Sequence, residues 1–279
     1  MRIATDLWHR RGYSITEELK LIKETGFDGV EFTVSEANEN LPAISDRGYL
    51  RIEHIMDDAR ELRKLANDVG LEIHSVRSGL LWRYPLTSPD PAIRDRAIEI
   101  AERELEACSL MGATALLMVP GVVTEDVPYD VAYRLSQEAL GRLSRKAEGL
   151  GITLAIENVC NNFLLSPMEF ARFIDELNSP AVGAYLDIGN VMDCRLGYPQ
   201  HWVRILGGRV RRVHIKDYSI GLRGITDLFN GDVNWAAVMK ALKDVGYDGY
   251  LTAELHPFNA AYELYFRQLA ERMRMLLTL

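Results

Sequence analysis

The sequence has no run of about 18 apolar residues, so no membrane-spanning helix is expected. It has no basic excess: the formal net charge is -8 and the pI about 5.4. That balance disfavours nucleic acid, whose phosphates are met by basic surfaces. Only three cysteines occur, Cys108, Cys160 and Cys194. Their odd count and wide spacing predict neither a disulfide framework nor a CxxC metal site. No stretch rich in Gly, Pro or Ser divides the chain, no P-loop pattern is present, and MRIATDLWHR lacks the apolar segment of a signal peptide. The expectation is a cytoplasmic, soluble protein with no nucleic-acid or membrane partner.

What is present is a large core and a regular alternation. The 279 residues are 48% hydrophobic and 26% charged, an ordinary globular mix. Short apolar runs at 2–6, 29–33, 71–76, 115–119, 153–157, 182–187, 210–216 and 250–254 read as eight strands. Amphipathic stretches at 14–25, 52–69, 91–111, 127–149, 167–177, 233–245 and 259–277 read as helices, with 198–207 a weaker candidate for the sixth. Gly26, Gly70, Gly112, Gly151 and Gly246 follow helical runs as stop signals. Strands alternating with helices imply parallel pairing, and the eightfold count favours an α/β chain folded as a (β/α)8 TIM barrel, a single domain over 1–279. The irregular segments 34–50, 77–90 and 217–232 follow strand ends and would cover the active face, with 34–50 or 77–90 as candidate lids.

Four residues that suit a metal fall at or beside consecutive strand ends: Glu157 in TLAIE, Asp187 in VGAYLD, His214 in VRRVHI and Glu254 in YLTAE. One barrel end would collect them, and that end is where such barrels do their chemistry. A carboxylate at the end of a buried strand needs a cation or a metal. Glu157 alone would also suit a salt bridge to a loop arginine, Asp187 a helix cap, and His214 a structural role. Their equivalent positions favour one divalent ion. Oxygen ligands with one imidazole suit Mn2+ first, with Co2+, Mg2+, Fe2+ or Zn2+ as alternatives.

Around them, His9, His74, Arg77, Lys216, Asp217, Arg223 and His256 are candidate substrate contacts. Trp8, Phe32 and Trp82 are candidates for an apolar wall beside the substrate. Asn158 would bond the site or cap its loop. In GDVNW at 231–235, Asn234 reads as a helix cap and Trp235 as an anchor.

GFDGVE, AIEN, LDIGN, VHIKD, GDVNW and TAELH together resemble the xylose-isomerase-like TIM-barrel superfamily over essentially the whole chain, nearest to ketose 3-epimerases. The resemblance implies a divalent metal held by Glu157, Asp187, His214 and Glu254. It also implies Glu157 and Glu254 as the acid/base pair on opposite faces of a ketose or ketose phosphate, acting through a metal-stabilised cis-enediolate. Aldose–ketose or hydroxypyruvate isomerase and inosose dehydratase are alternatives on the same site, and a noncatalytic sugar-binding barrel is another. The superfamily's endonucleases fit poorly, with six histidines and no basic stripe here. Relatives suggest a homodimer or homotetramer. The chain departs from several epimerases at Asn190, where they carry histidine, and at Phe163, where they carry glutamate. Arg223 is the available loop arginine.

Overall fold

In the computed structural model, residues 1–7, 13–36, 50–255 and 261–279 are described. Eight parallel strands form the barrel: β1 (Arg2–Asp6), β2 (Gly29–Ser35), β3 (Glu72–Ser78), β4 (Ala115–Met118), β5 (Thr153–Glu157), β6 (Val182–Asp187), β7 (Val210–Ile215) and β8 (Tyr250–Ala253). Each pairs with its neighbour, and β1 closes the circle by pairing β8 at Ile3↔Leu251 and β2 at Thr5↔Val30. The expected (β/α)8 TIM barrel is therefore the observed fold. Two residues, Leu50–Arg51, extend the sheet beside β2, and Asp217–Ser219 with Gly224–Thr226 makes a small antiparallel hairpin after β7.

Helices α1 (Ile15–Thr25), α2 (Ile55–Val69), α3 (Pro91–Met111), α4 (Tyr129–Leu150), α5 (Pro167–Glu176), α6 (Pro199–Leu206), α7 (Trp235–Asp244) and α8 (Tyr262–Thr278) alternate with the strands. Ser14 starts α1 with a reciprocal capping box to Glu17, which satisfies amides that the helix leaves open. Gly26 ends it at φ 93°, a left-handed turn that a side chain would strain. Asn234 caps α7 through Ala237 N, and Trp235 is buried, both as expected. Among the described residues, no helix is long and apolar enough to cross a membrane.

The core has two parts. Outward-facing strand residues such as Val30, Phe32, Val76 and Leu186 pack under the helices in one large cluster. Inside the barrel a smaller cluster of Ala115, Leu117, Ala155 and Tyr185 forms a floor. Fully burying one such Leu or Phe contributes about 1.5–3 kcal/mol, so the barrel frame is rigid enough to hold charged groups at its rim.

Of the candidate lids, residues 37–49 lie outside the described residues. Segment 77–90 is tied down: Tyr84 OH donates to Glu36 at 2.8 Å, and Thr87 Oγ1 donates to Val122 O at 2.8 Å. Asp187 caps a short helix, Ile188–Asp193. One reading needs correction. No disulfide framework was expected, but Cys160 and Cys194 form a disulfide, while Cys108 is a buried free thiol. Strand order, which brings the ends of β5 and β6 side by side, sets the distance between these residues whatever their separation in sequence.

Candidate metal centre

Strands β5, β6 and β7 end in Glu157, Asp187 and His214–Ile215, and Glu254 follows β8 directly. One ligand atom from each of Glu157, Asp187, His214 and Glu254 falls within 4.8 Å of the others. His214 Nδ1 lies 3.0 Å from Glu157 Oε1, 3.7 Å from Asp187 Oδ2 and 3.6 Å from Glu254 Oε2. An ion with ligands at about 2.1 Å separates adjacent donors by about 3 Å and opposed ones by about 4.2 Å. The three distances from His214 Nδ1 fall in that range.

Asp187 supports the fit and also caps a helix. Its Oδ1 accepts from Asn190 N at 2.7 Å, while buried Oδ2 accepts no well-formed hydrogen bond, although Lys216 Nζ stands 2.9 Å away. Burial pushes this carboxyl up to about 7, with Lys216 pulling the other way. A divalent cation among the donors would remove that desolvation penalty. Asn158 locks the neighbouring strand end: its Oδ1 accepts from Asp187 N at 2.8 Å and its Nδ2 donates to Asp187 O at 2.9 Å. Gly189 is required beneath Lys216, since a Cβ there would sit 2.4 Å from Lys216 Cγ and 2.8 Å from its carbonyl oxygen.

Two acids that the sequence reading missed complete the centre. Glu31 on β2 is fully buried and takes three bonds: from His214 Nε2 at 2.9 Å, Ser75 Oγ at 2.5 Å and Tyr185 OH at 2.7 Å. A carboxylate only accepts, so Nε2 carries the shared hydrogen and Nδ1 is turned to the cluster. Burial works against charge on both partners. The His214 imidazolium nevertheless holds Glu31 down at about 2, and Glu31 with Glu254 pushes His214 well above the ordinary imidazole range. Asp6, at the end of β1, pairs with Arg77 at 2.7 Å. The signal for Glu31 was the GFDGVE motif, and for Asp6 its place at a strand end.

Glu254 is held by two cations. Its Oε2 accepts from Lys216 Nζ at 2.5 Å, and Oε1 contacts Arg77 Nη1. Burial raises its pKa, but Lys216 and then Arg77 outweigh that and keep it well below the usual carboxylate range. Among the described residues, a cavity of about 300 Å³ opens over this cluster, lined by Arg77, Trp82, Glu157, Asn190, Lys216 and Glu254 among others. Cys160 also lines it, so the disulfide ties the loop after Glu157 to the helix after Asp187 at the cavity rim.

The structure brings Arg77, Lys216 and Trp82 to this cavity and sends four other candidates elsewhere. His74 is wholly buried within the barrel, stacked on Tyr250 with Thr252 Oγ1 3.1 Å from its Nε2, and burial lowers its pKa to about 3. Phe32 faces the helices in the outer core. Asp217 is wholly buried and organises its own loop, accepting from Tyr218 N, Phe229 N, Val233 N and Trp235 Nε1. Arg223 is exposed at the turn of the hairpin, with φ 53°. The common cause is strand alternation and loop packing, which adjacency in sequence does not reveal. Trp8, His9 and His256 lie outside the described residues. The departures are also placed: Phe163 is buried against Tyr129 and Phe173, and Asn190 lines the cavity while donating to Asn158 O at 2.9 Å.

Residues 19–276 match the family described as xylose isomerase-like TIM barrel. An L-ribulose-5-phosphate 3-epimerase of Shigella flexneri is 25% identical over 247 residues, covering 86% of this chain and 81% of that protein. Among solved structures, an L-ribulose 3-epimerase superposes with a TM-score of 0.79 at 19% identity, covering 99% of this chain and 94% of its own. The D-psicose 3-epimerase of Clostridium cellulolyticum H10 gives 0.78 at 15% identity, covering 99% of each chain. These structural likenesses concern the fold.

Proposed function

The chain belongs to the xylose isomerase-like TIM barrel family, and from that premise we propose that it is a divalent-metal-dependent ketose or ketose-phosphate 3-epimerase. The observation that carries the reading is the convergence of three carboxylates and one oriented imidazole on a single point of the barrel mouth. Glu157, Asp187, His214 and Glu254 would hold the ion, with Mn2+ our first choice. When bound, it polarises the substrate carbonyl and makes the neighbouring C–H more acidic.

The chain's own residues do the rest. Glu157 and Glu254 enter from β5 and β8, three places apart around the barrel, so they approach a bound sugar from different sides. One carboxylate takes the proton from C3 as the C–H bond breaks and its electron pair moves towards the C2 carbonyl. The other returns a proton to C3 from the opposite face, which inverts that carbon. Asp187 and His214 transfer no proton in this scheme. Glu31 holds His214 in one tautomer, and Asn158 holds the Asp187 backbone. Trp82 offers a half-exposed ring at the cavity for the sugar's carbon edge.

The test is product identity. Metal-loaded protein would be incubated with L-ribulose, D-fructose, D-tagatose, their phosphates, hydroxypyruvate and inosose, and followed by NMR. A C3 epimer that disappears with chelator is the expected result. Carbonyl migration would make the protein an isomerase, and water loss a dehydratase; either contradicts the proposal.

A further inference from the structure

The metal-binding side chains all come from β5 to β8. The opposite half of the barrel mouth carries a second charged group that the scheme above leaves without a role. Arg77 in β3 donates from Nε to Thr33 Oγ1 at 3.0 Å and from Nη2 to Asp6 Oδ2 at 2.7 Å. Its Nη1 contacts Glu254 Oε1. Three strands, β1, β2 and β3, therefore build a guanidinium that reaches across to the residue after β8. Asp6 is 1% exposed and Arg77 7%, so the unit belongs to the barrel wall. A guanidinium is planar and rigid, and anchoring two of its edges aims the third.

The consequence is asymmetric. Arg77 takes Glu254 Oε1, while Oε2 accepts from Lys216 Nζ at 2.5 Å and stands 3.6 Å from His214 Nδ1. Among the described residues, no Lys or Arg forms an ion pair with Glu157, whose Oε1 faces His214 Nδ1. The barrel thus pairs one of the two glutamates with Lys216 and with Arg77, which is fixed in the barrel wall, and leaves the other beside the imidazole. We propose that Arg77, anchored by Asp6 and Thr33, is a positioning residue for Glu254 and controls proton transfer on the one face of the substrate that Glu254 serves. This rests on the epimerase reading above.

Each face has its own readout. With L-ribulose and its C3 epimer, and with D-fructose and D-psicose, both pairs also as phosphates, initial exchange of the C3 proton with D2O is measured separately from each epimer. Glu254→Gln should abolish exchange from one epimer of a pair. Arg77→Met and Asp6→Asn should slow exchange from that same epimer by about tenfold to a hundredfold, the effect of a misplaced catalytic group. Exchange from the other epimer should change by less than about threefold. Arg77→Lys, which keeps the charge without the fork, should fall between. Mn2+ titration of each variant reports whether the site has folded, and affinity within a few-fold of the parent is expected.

Equal losses from both epimers in Arg77→Met, or no loss from either, would overturn the positioning role while leaving the epimerase reading in place. Exchange that persists from both epimers in Glu254→Gln, or is absent from the parent protein, refutes the epimerase reading and this one with it.

Discussion

Replacing Glu31 by Gln should change how metal binding depends on pH, in a way that a general loss of structure would not. In the metal-free protein, His214 stands between Glu31 and the ligand carboxylates with its pKa pushed well above the ordinary imidazole value. A metal at Nδ1 must displace that proton. Affinity should therefore rise by about tenfold per pH unit as long as the free site stays protonated. Gln keeps the shape and one acceptor for Nε2 but removes the charge. The imidazole, still beside Glu254 and Glu157, then loses its proton at a lower pH than in the parent, and the slope flattens at a correspondingly lower pH. At pH 8 the variant should bind about 10- to 100-fold more weakly, because it lacks the carboxylate that makes the ligand basic. Stability carries a matching sign. The raised His214 pKa contributes stability below the unfolded imidazole value, and this is lost as pH rises through the folded one. The lowered Glu31 pKa contributes above the unfolded carboxyl value and is lost as pH falls towards about 2. Between those limits Gln replaces a charge-assisted bond by a neutral one, a loss of about 1–2 kcal/mol. Mn2+ titration from pH 5.5 to 8.5, with denaturant unfolding of the metal-free protein, measures both. Parallel titration slopes in parent and variant would refute the assigned geometry of His214.

Other perturbations have equally definite signs. Reducing the Cys160–Cys194 bond, which spans a sequence separation of 34, should cost up to about 4 kcal/mol. That is a fall of about 6 °C in Tm for this chain length. Scanning calorimetry with and without a dithiol checks it, with Cys160→Ser as the control that should not respond. Gly189→Ala normally stabilises a helix by about 0.5–1 kcal/mol, but the Lys216 side chain and carbonyl lie where the Cβ would go, so here thermal unfolding should show a net loss of about 1–3 kcal/mol. Asp217→Ala should lower stability by about 3 kcal/mol or more, since it strips the partner from three amides and the Trp235 indole, while KM measured on the folded fraction stays within about twofold.

The frame was legible because period and punctuation agreed. Apolar runs, amphipathic stretches and terminal glycines all pointed to the same alternating barrel, and even the weak stretch around Pro199 is helical. The cluster of Glu157, Asp187, His214 and Glu254 was legible because each member stands at or beside a strand end, and parallel strands deliver their ends to one rim. Groups inside the barrel were harder to read. Glu31 sits mid-strand, and its importance comes from His214, 183 positions away in sequence. His74 and Arg77 lie three residues apart on one strand, yet one is sealed in the interior and the other reaches the cavity. Asp217 follows Lys216 directly but turns into its own loop, because four donors there satisfy its carboxylate better than the cavity would. Such choices depend on three-dimensional partners, and so does the pairing of Cys160 with Cys194.

The most direct test of the central claim is deuterium incorporation at C3 of a ketose by the Mn2+-loaded protein in D2O, with the chelated protein and the Glu157→Gln and Glu254→Gln variants alongside. The account predicts deuterium at C3 with inversion, absent after chelation. It also predicts that neither variant inverts C3, because each lacks one of the two proton-transfer groups. Incorporation that survives chelation, or inversion that survives either substitution, would contradict it.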